Sequence, residues 1–357
     1  MSHIFPSRPL TQLLGSNGPV HALTYSSSPS AYILTGSADR SIRLYNPSHP
    51  VPQNPNPLAP PKATQLIQTY AAHGYEVLDI CVAADNASFA SVGGDRAVFL
   101  WDVATAKTIR RLHGPQGHTA RINTAVFAGT GDSVLISGSF DSTVRIWDLK
   151  TNSYKPIMVL EDAKDSVSCV LAGGNGQGGD YEIVSGSVDG RVRYYDLRMG
   201  KLEIDVIGAS VTSLQRTRDG KGTLVGGLDD CIRLMDRDNG SLLKSYKADG
   251  WKNGEYRLKS CFGINERWVL SGNEQTPGGK DGEVVVWDTL TGGVAYRIRV
   301  DGSKAEGKKK IGANGEVVER GNVVSSVSWK GNGRGDQWCC AGTDGIVTVF
   351  GVPETRI

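Results

Sequence analysis

The chain has 357 residues, with 39 Lys and Arg against 37 Asp and Glu for a formal net charge of +2, and it carries 45 glycines. A chain of this length can bury roughly 75% of its unfolded surface, so it needs neither disulfide nor metal to hold a core. Near-neutral charge excludes a general polyanion binder, no apolar run approaches the ~20 residues of a membrane span, and a start holding Pro6 and Pro9 without an apolar core excludes a secretory signal.

One segment recurs seven times: a small residue, glycine or another small residue, any two residues, aspartate, a turn residue, then alternating apolar positions closing on a bulky side chain. Residues 1–9 are predicted as a tail, and Thr11–Gly15 as a strand standing before the first copy. Copy one centres on Asp39 and closes on Tyr45. Residues 46–63 follow it with Pro47, Pro50, Pro52, Pro55, Pro57, Pro60 and Pro61, a loop that cannot join a sheet and is predicted to be partly polyproline II. Copy two runs from Ser91 to Asp102 around Asp95 and Trp101, preceded by Ala72-His73. Copy three, the clearest, runs from Ser137 to Asp148 around Asp141 and Trp147, preceded by Gly117-His118.

Before the fourth copy (Asp189, Tyr195) lies a glycine-rich stretch, residues 173–180. Its G-x-G-x-x-G match at Gly174, Gly176 and Gly179 is followed by no helix that could receive a phosphate, so it is a linker. Copy five has Asp229 and Met235. Ala248–Gly254, with Trp251 and Lys252, enlarges the connection into copy six (Asp281, Trp287), whose own turn is lengthened by residues 273–280. Residues 301–322, with Lys304, Lys308, Lys309 and Lys310, lengthen the connection into copy seven (Asp344, Phe350), and residues 352–357 form a second tail. Successive aspartates lie 40 to 63 residues apart, and period-two alternation marks each copy as a strand with two different faces.

His118 stands 23 residues before Asp141 and His73 stands 22 before Asp95. Two copies therefore hold full sets, His73, Ser91, Asp95, Trp101 and His118, Ser137, Asp141, Trp147. Indole N–H, hydroxyl, imidazole and carboxylate can satisfy one another and pin a loop to a strand, which is how buried polar groups become tolerable. A catalytic Ser-His-Asp set would occur once; this one recurs with the repeat, so it is structural.

These residues and spacings resemble the WD repeat, whose period is roughly 40–45 residues. The resemblance spans residues 10–351 and implies an all-β fold, a seven-bladed WD-repeat β-propeller closed by an N-terminal strand in the last blade. Copies one, four, five, six and seven lack the histidine, and copy five has Met235 for the aromatic, so blades 5 to 7 are expected to be less rigid. Stretches that the repeat does not require carry a closer resemblance: Tyr75-Glu76-Val77-Leu78-Asp79, Leu100-Trp101-Asp102-Val103-Ala104, Glu255-Tyr256-Arg257-Leu258 and Gly186 to Gly200. Together they are similar to the mitogen-activated protein kinase organizer family. That similarity implies a non-enzymatic scaffold, described both as an organiser of a MAP kinase module and as a spliceosome component in pre-mRNA splicing, with splicing the favoured role.

If the face carrying the aspartate turns and histidine loops is called the top, Trp251, Lys252, Lys280, Lys304, Lys308, Lys309 and Lys310 lie in three enlarged top loops around blades 6 and 7. They are expected to form a protein-binding surface with Trp251 as aromatic anchor and the lysines as rim. RNA contact is confined to the local Lys308–Lys310 loop. Arg43, Arg145, Arg193 and Arg233, four residues after their aspartates, share a strand face with the bulky residue two places on, and the first three are expected to lie along the rings of Tyr45, Trp147 and Tyr195. Tyr195-Asp196-Leu197-Arg198 resembles the W-D-x-R box of substrate receptors of cullin-type ubiquitin ligases, the alternative function, with Arg198 as adaptor contact. G-x-S-x-G, H-E-x-x-H and P-loop motifs are absent, so no enzyme, cofactor or metal is expected. Cys81, Cys169, Cys231, Cys261, Cys339 and Cys340 form no C-x-x-C pair, which points to a reducing compartment, the nucleus and cytoplasm. A chain monomeric on its own, without membrane contact and bound to proteins of a large assembly, is the resulting picture.

Overall fold

The computed structural model describes residues 5–48, 65–173, 182–275, 281–302, 310–311, 317–318, 322–331, 333 and 335–352. Among them the chain forms seven four-stranded antiparallel sheets, no helix, and one small two-stranded pair, Lys310–Ile311 with Val317–Val318. Each of the first six sheets takes four strands consecutive in sequence, as in blade 3, Ile122–Ala128, Val134–Ser139, Val144–Asp148 and Met158–Leu160. The protein is a seven-bladed β-propeller.

Closure uses the chain's early residues. Arg8–Leu13 pairs antiparallel with Val347–Gly351 as the outer strand of blade 7. The strand lies a few residues earlier than Thr11–Gly15, the expected position. Pro9 is accommodated because an outer strand does not need every N–H, and the register shifts between Pro9 and Thr11. The predicted tail over residues 1–9 is accordingly corrected: Phe5 is buried among Trp268, Tyr296, Trp329 and Trp338. The Trp338 indole donates to the Pro6 carbonyl at 2.7 Å.

No single core exists. Apolar side chains collect in seven clusters, one in each gap between neighbouring blades; Ile136, Val144, Ile146, Val167, Val170, Ile183 and Tyr195, for example, fill the gap between blades 3 and 4. Second strands are covered on both faces and are buried at every position in blades 1, 5 and 6. Glycine sits there for closeness rather than for backbone freedom: a Cβ on Gly36, Gly138 or Gly186 would lie 2.6 Å from a methyl of Val77, Val167 or Val211, the valine that begins the next blade. The bulky residues six after the turn aspartates, Tyr45, Trp101, Trp147, Tyr195, Met235, Trp287 and Phe350, are all buried. Blades 5 to 7 form complete sheets as well, held by different polar ties. Most of the proline-rich loop (residues 49–64) and of the glycine-rich loop (residues 174–181) lies outside the described residues.

Candidate functional site

The aspartate turns build the top face. In blades 1, 3, 4 and 7 the turn carboxylate accepts the N–H two residues on, from Ser41, Thr143, Arg191 and Ile346, a local bond that fixes the turn. Its second oxygen holds a further partner.

In blades 2 and 3 that partner is histidine. His73 Nδ1 lies 2.5 Å from Asp95 and Nε2 2.7 Å from Ser91 Oγ, which also accepts the Trp101 indole at 2.8 Å. Blade 3 repeats the relay: His118 Nδ1 to Asp141 at 3.0 Å, Nε2 to Ser137 at 2.8 Å, and Trp147 to Ser137 at 2.8 Å. Burial would raise the Asp141 carboxyl, but bonds from His118, Thr143 and the Thr119 N–H reverse this and hold it well below the carboxylate range. Burial pushes His118 below the ordinary 6.5, against the pull of Asp141. The unfolded chain therefore takes the proton first, so this stability is complete above about pH 6.5 and is lost as pH falls below it. The melting temperature is expected to drop as pH falls from about 7.5 to about 5.5, and less steeply in His118→Gln. His21, likewise lowered by burial, keeps part of the slope.

In blades 1, 4 and 5, which lack the histidine, arginine replaces it. Arg43 grips Asp39 with both guanidinium nitrogens, at 3.1 and 2.7 Å, and Arg193 grips Asp189 at 3.2 and 2.6 Å. Arg233 does the same to Asp229. The strand pattern places Arg43 along the ring of Tyr45 and Arg193 along that of Tyr195. They turn to the carboxylate because a bidentate charged bond outweighs a shielded cation–π contact. Arg145, whose aspartate already has a histidine, donates to the Gln116 carbonyl instead.

Blades 6 and 7 use a third device. Asn322 donates to Asp344 at 3.0 Å. Asn273 accepts the Lys252 N–H at 2.9 Å, and Glu274 accepts those of Gly254, Glu255 and Tyr256. Asp281, expected as the turn aspartate, instead accepts the Gly302 N–H on the other side of the lengthened turn.

The expected surface around blades 6 and 7 loses its anchor. Trp251 is 1% exposed. Its indole donates to the Gly272 carbonyl at 2.7 Å and meets Trp287 edge to face at 5.1 Å, so the loop folds its aromatic inward to fill the gap between blades 5 and 6. Lys252 is exposed and bonded to Asp230 at 2.8 Å. Lys280, Lys304, Lys308, Lys309 and the Lys310 side chain lie outside the described residues. Arg198 is exposed, and its N–H bonds to Asp196.

The sequence did not reveal the ties across the central channel. Lys259 of blade 6 reaches Asp79 of blade 2 at 2.7 Å, across 180 positions of chain, and Asp79 also accepts the Ala125 N–H at 3.2 Å. Arg257 donates to the carbonyls of Asn123 in blade 3 and Thr212 in blade 5. His21 and Glu76 approach to 3.6 Å. The signal was present: Glu76, Asp79 and Arg257 stand in stretches that the repeat pattern alone does not demand. Asp79, Arg257 and Lys259 line a cavity of about 200 Å³ together with Thr124, Ser213 and Gln215. The Asp79 carboxylate in it is held by the Lys259 ammonium, and burial pushes the Cys261 thiol up to about 12. These charged groups tie blades 2, 3, 5 and 6 together around the channel. Among the described residues no cluster of His, Cys, Asp and Glu could hold a metal.

The repeat family described as "WD domain, G-beta repeat" matches residues 7–46, 64–102, 107–148 and 154–196, from the closing strand to the end of the third strand of blade 4. Human WD repeat domain-containing protein 83 is 39% identical over 295 residues, 83% of each chain. Its homolog in Dictyostelium discoideum is 29% identical over 310 residues, 80% of this chain and 86% of the other. An uncharacterized WD repeat-containing protein of Schizosaccharomyces pombe is 39% identical over 270 residues, 76% of this chain and 80% of the other.

Proposed function

The chain belongs to the WD-repeat family that includes WD repeat domain-containing protein 83, and from that premise we propose that it is a non-enzymatic scaffold, a spliceosome component acting in pre-mRNA splicing or an organiser of a MAP kinase module, working in the nucleus and cytoplasm. The observation that carries the scaffold reading is where the polar chemistry goes. Every turn carboxylate, both relay histidines and the channel ions are engaged in holding turns, loops and blades together, which leaves the outer faces of a rigid ring for partners. The similarity of Tyr75–Asp79, Glu255–Leu258 and Gly186–Gly200 to the kinase-organizer family supports the two finer roles.

Purification of the tagged chain from nuclear and from cytosolic extracts, followed by mass spectrometry and RNA sequencing, tests this. Late splicing proteins with small nuclear RNAs are expected from the nuclear fraction. Kinases alone would move the assignment to the signalling role, and recovery of neither would remove both. The cullin-ligase reading rests on Arg198, whose exposed side chain follows the strand Arg191–Asp196. It predicts that Arg198→Glu abolishes co-purification of a ligase adaptor; an adaptor at background with both forms rejects it.

A further inference from the structure

With Trp251 buried, the exposed apolar side chains of the top face lie elsewhere. Tyr75, in the loop entering blade 2, is 62% exposed; Phe140 and Val188, each just before the turn aspartate of blades 3 and 4, are 52% and 38% exposed. Phe140 and Val188 occupy equivalent places in their blades. The N–H groups of Gly94, Phe140 and Val188 all bond back to the preceding entry loop, at Glu76, Arg121 and Ser166. In blade 2 that position is Gly94, and Tyr75 packs over it, where an added Cβ would lie 2.7 Å from the tyrosine Cβ. Three neighbouring blades thus each present one large apolar group along a continuous arc.

Charge runs between them. Arg121 lies over the Phe140 ring at 5.0 Å from its centre, and Arg96 reaches only the Thr119 carbonyl, at 3.5 Å. Both are exposed, and neither pairs with a carboxylate among the described residues. The nearby carboxylates Asp95 and Asp141 are taken by His73 and His118, and Glu76 faces His21. On the blade 4 side the sign reverses: exposed Lys164 stands among exposed Glu161, Asp162 and Asp165. The arc is therefore apolar throughout, cationic over blades 2 and 3, and bordered by acid at blade 4.

Building on the scaffold reading, we infer that this arc binds an extended acidic segment of a partner protein, with a large apolar or aromatic residue seated beside Phe140 and the carboxylates over Arg96 and Arg121. Exposed cations that no internal anion neutralises are complementary to such a segment, and aromatic side chains with arginine between them are the usual anchors of interfaces. Single-stranded RNA fits less well. Arg121 already covers a face of Phe140 that a base would stack on, Val188 offers no ring, and the carboxylates at blade 4 repel a phosphate backbone.

Selection of phage-displayed random dodecapeptides on the full chain tests the inference. Enriched sequences should place several Asp or Glu close to a Phe, Tyr, Trp or Leu. The corresponding synthetic peptide should bind with an affinity that falls with salt and that drops at least about tenfold in both Phe140→Ser and Arg121→Glu, while Leu290→Ser, on an exposed bottom turn, leaves it unchanged. Basic or neutral consensus sequences, absence of enrichment, or equal binding by the Phe140 and Arg121 variants would overturn the arc. So would tighter binding of a uridine dodecamer that the same two variants abolish. The purification above reads the scaffold role separately: if those variants still recover the wild-type partners while peptides fail, the arc is wrong and the scaffold stands.

Discussion

Trp251→Ala is expected to destabilise the ring by about 3–5 kcal/mol, the range for emptying a large aromatic site in a packed core. The indole fills the gap between blades 5 and 6 with Tyr246, Phe262, Val269 and Trp287. Its N–H is the donor for the Gly272 carbonyl, so Trp251→Phe should restore much of the packing and still lose about 1–3 kcal/mol from the unsatisfied buried acceptor. Denaturant titration of the three proteins checks the order wild type, Phe, Ala. A surface anchor would behave differently. Equal midpoints, with partner binding lost, would return Trp251 to the role that its place in an enlarged loop suggested.

Asp79→Ala should cost about 2–4 kcal/mol, somewhat under the ~3–5 of a fully enclosed pair, because the Lys259 side chain keeps 24% exposure. Removing the carboxylate leaves the Lys259 and Arg257 cations facing each other in the channel and strips the Ala125 N–H of its acceptor. The double variant Asp79→Asn/Lys259→Met should recover most of the loss, since it removes the charge along with its partner. The sign of the acid dependence follows from the same contacts. Burial would raise the Asp79 carboxyl, but Lys259 and Arg257 outweigh it and set the group below its usual 3.8. The contribution is therefore complete above about pH 4 and vanishes as pH falls through the folded-state value. Stability measured from pH 5 down to about 2.5 should decline less steeply in Asp79→Asn, with Asp39, Asp95, Asp141 and Asp189, also lowered, supplying the remaining slope. Identical acid profiles would mean that the cross-channel bridge holds nothing together.

What could be read before the structure divides by range of interaction. The relays of His73 and His118 were legible because every member lies within one repeat and the spacing recurs. Blade number and buried bulky residues were legible for the same reason. Arg43 and Arg193 were placed on the correct strand face but given the wrong neighbour, since period-two alternation says which side a residue faces and not whether it reaches along the strand to the turn. The lengthened turn of blade 6 contains both Asn273 and Asp281, and spacing alone does not choose between them. Trp251 was misread because a loop's composition does not reveal that it folds inward. The pairing of Asp79 with Lys259 crosses the channel between blades distant in the ring, and no local pattern encodes it.

The closing strand also sets a timetable. Arg8–Leu13 is synthesised before the first blade, yet its pairing partner Val347–Gly351 is made only after the other six blades. Until then the flank of blade 1 that carries Val20, Leu23 and Tyr25, like the flank of blade 6 that carries Trp268 and Leu270, has nothing to pack on. A nascent chain thus carries the blade 1 flank bare while all the intervening blades are made, the blade 6 flank joins it only once that blade has emerged, and sealing the circle is a long-range event that must outrun clumping. Production of this protein should consequently be limited by how well those flanks are shielded during emergence, rather than by the endurance of the finished disc.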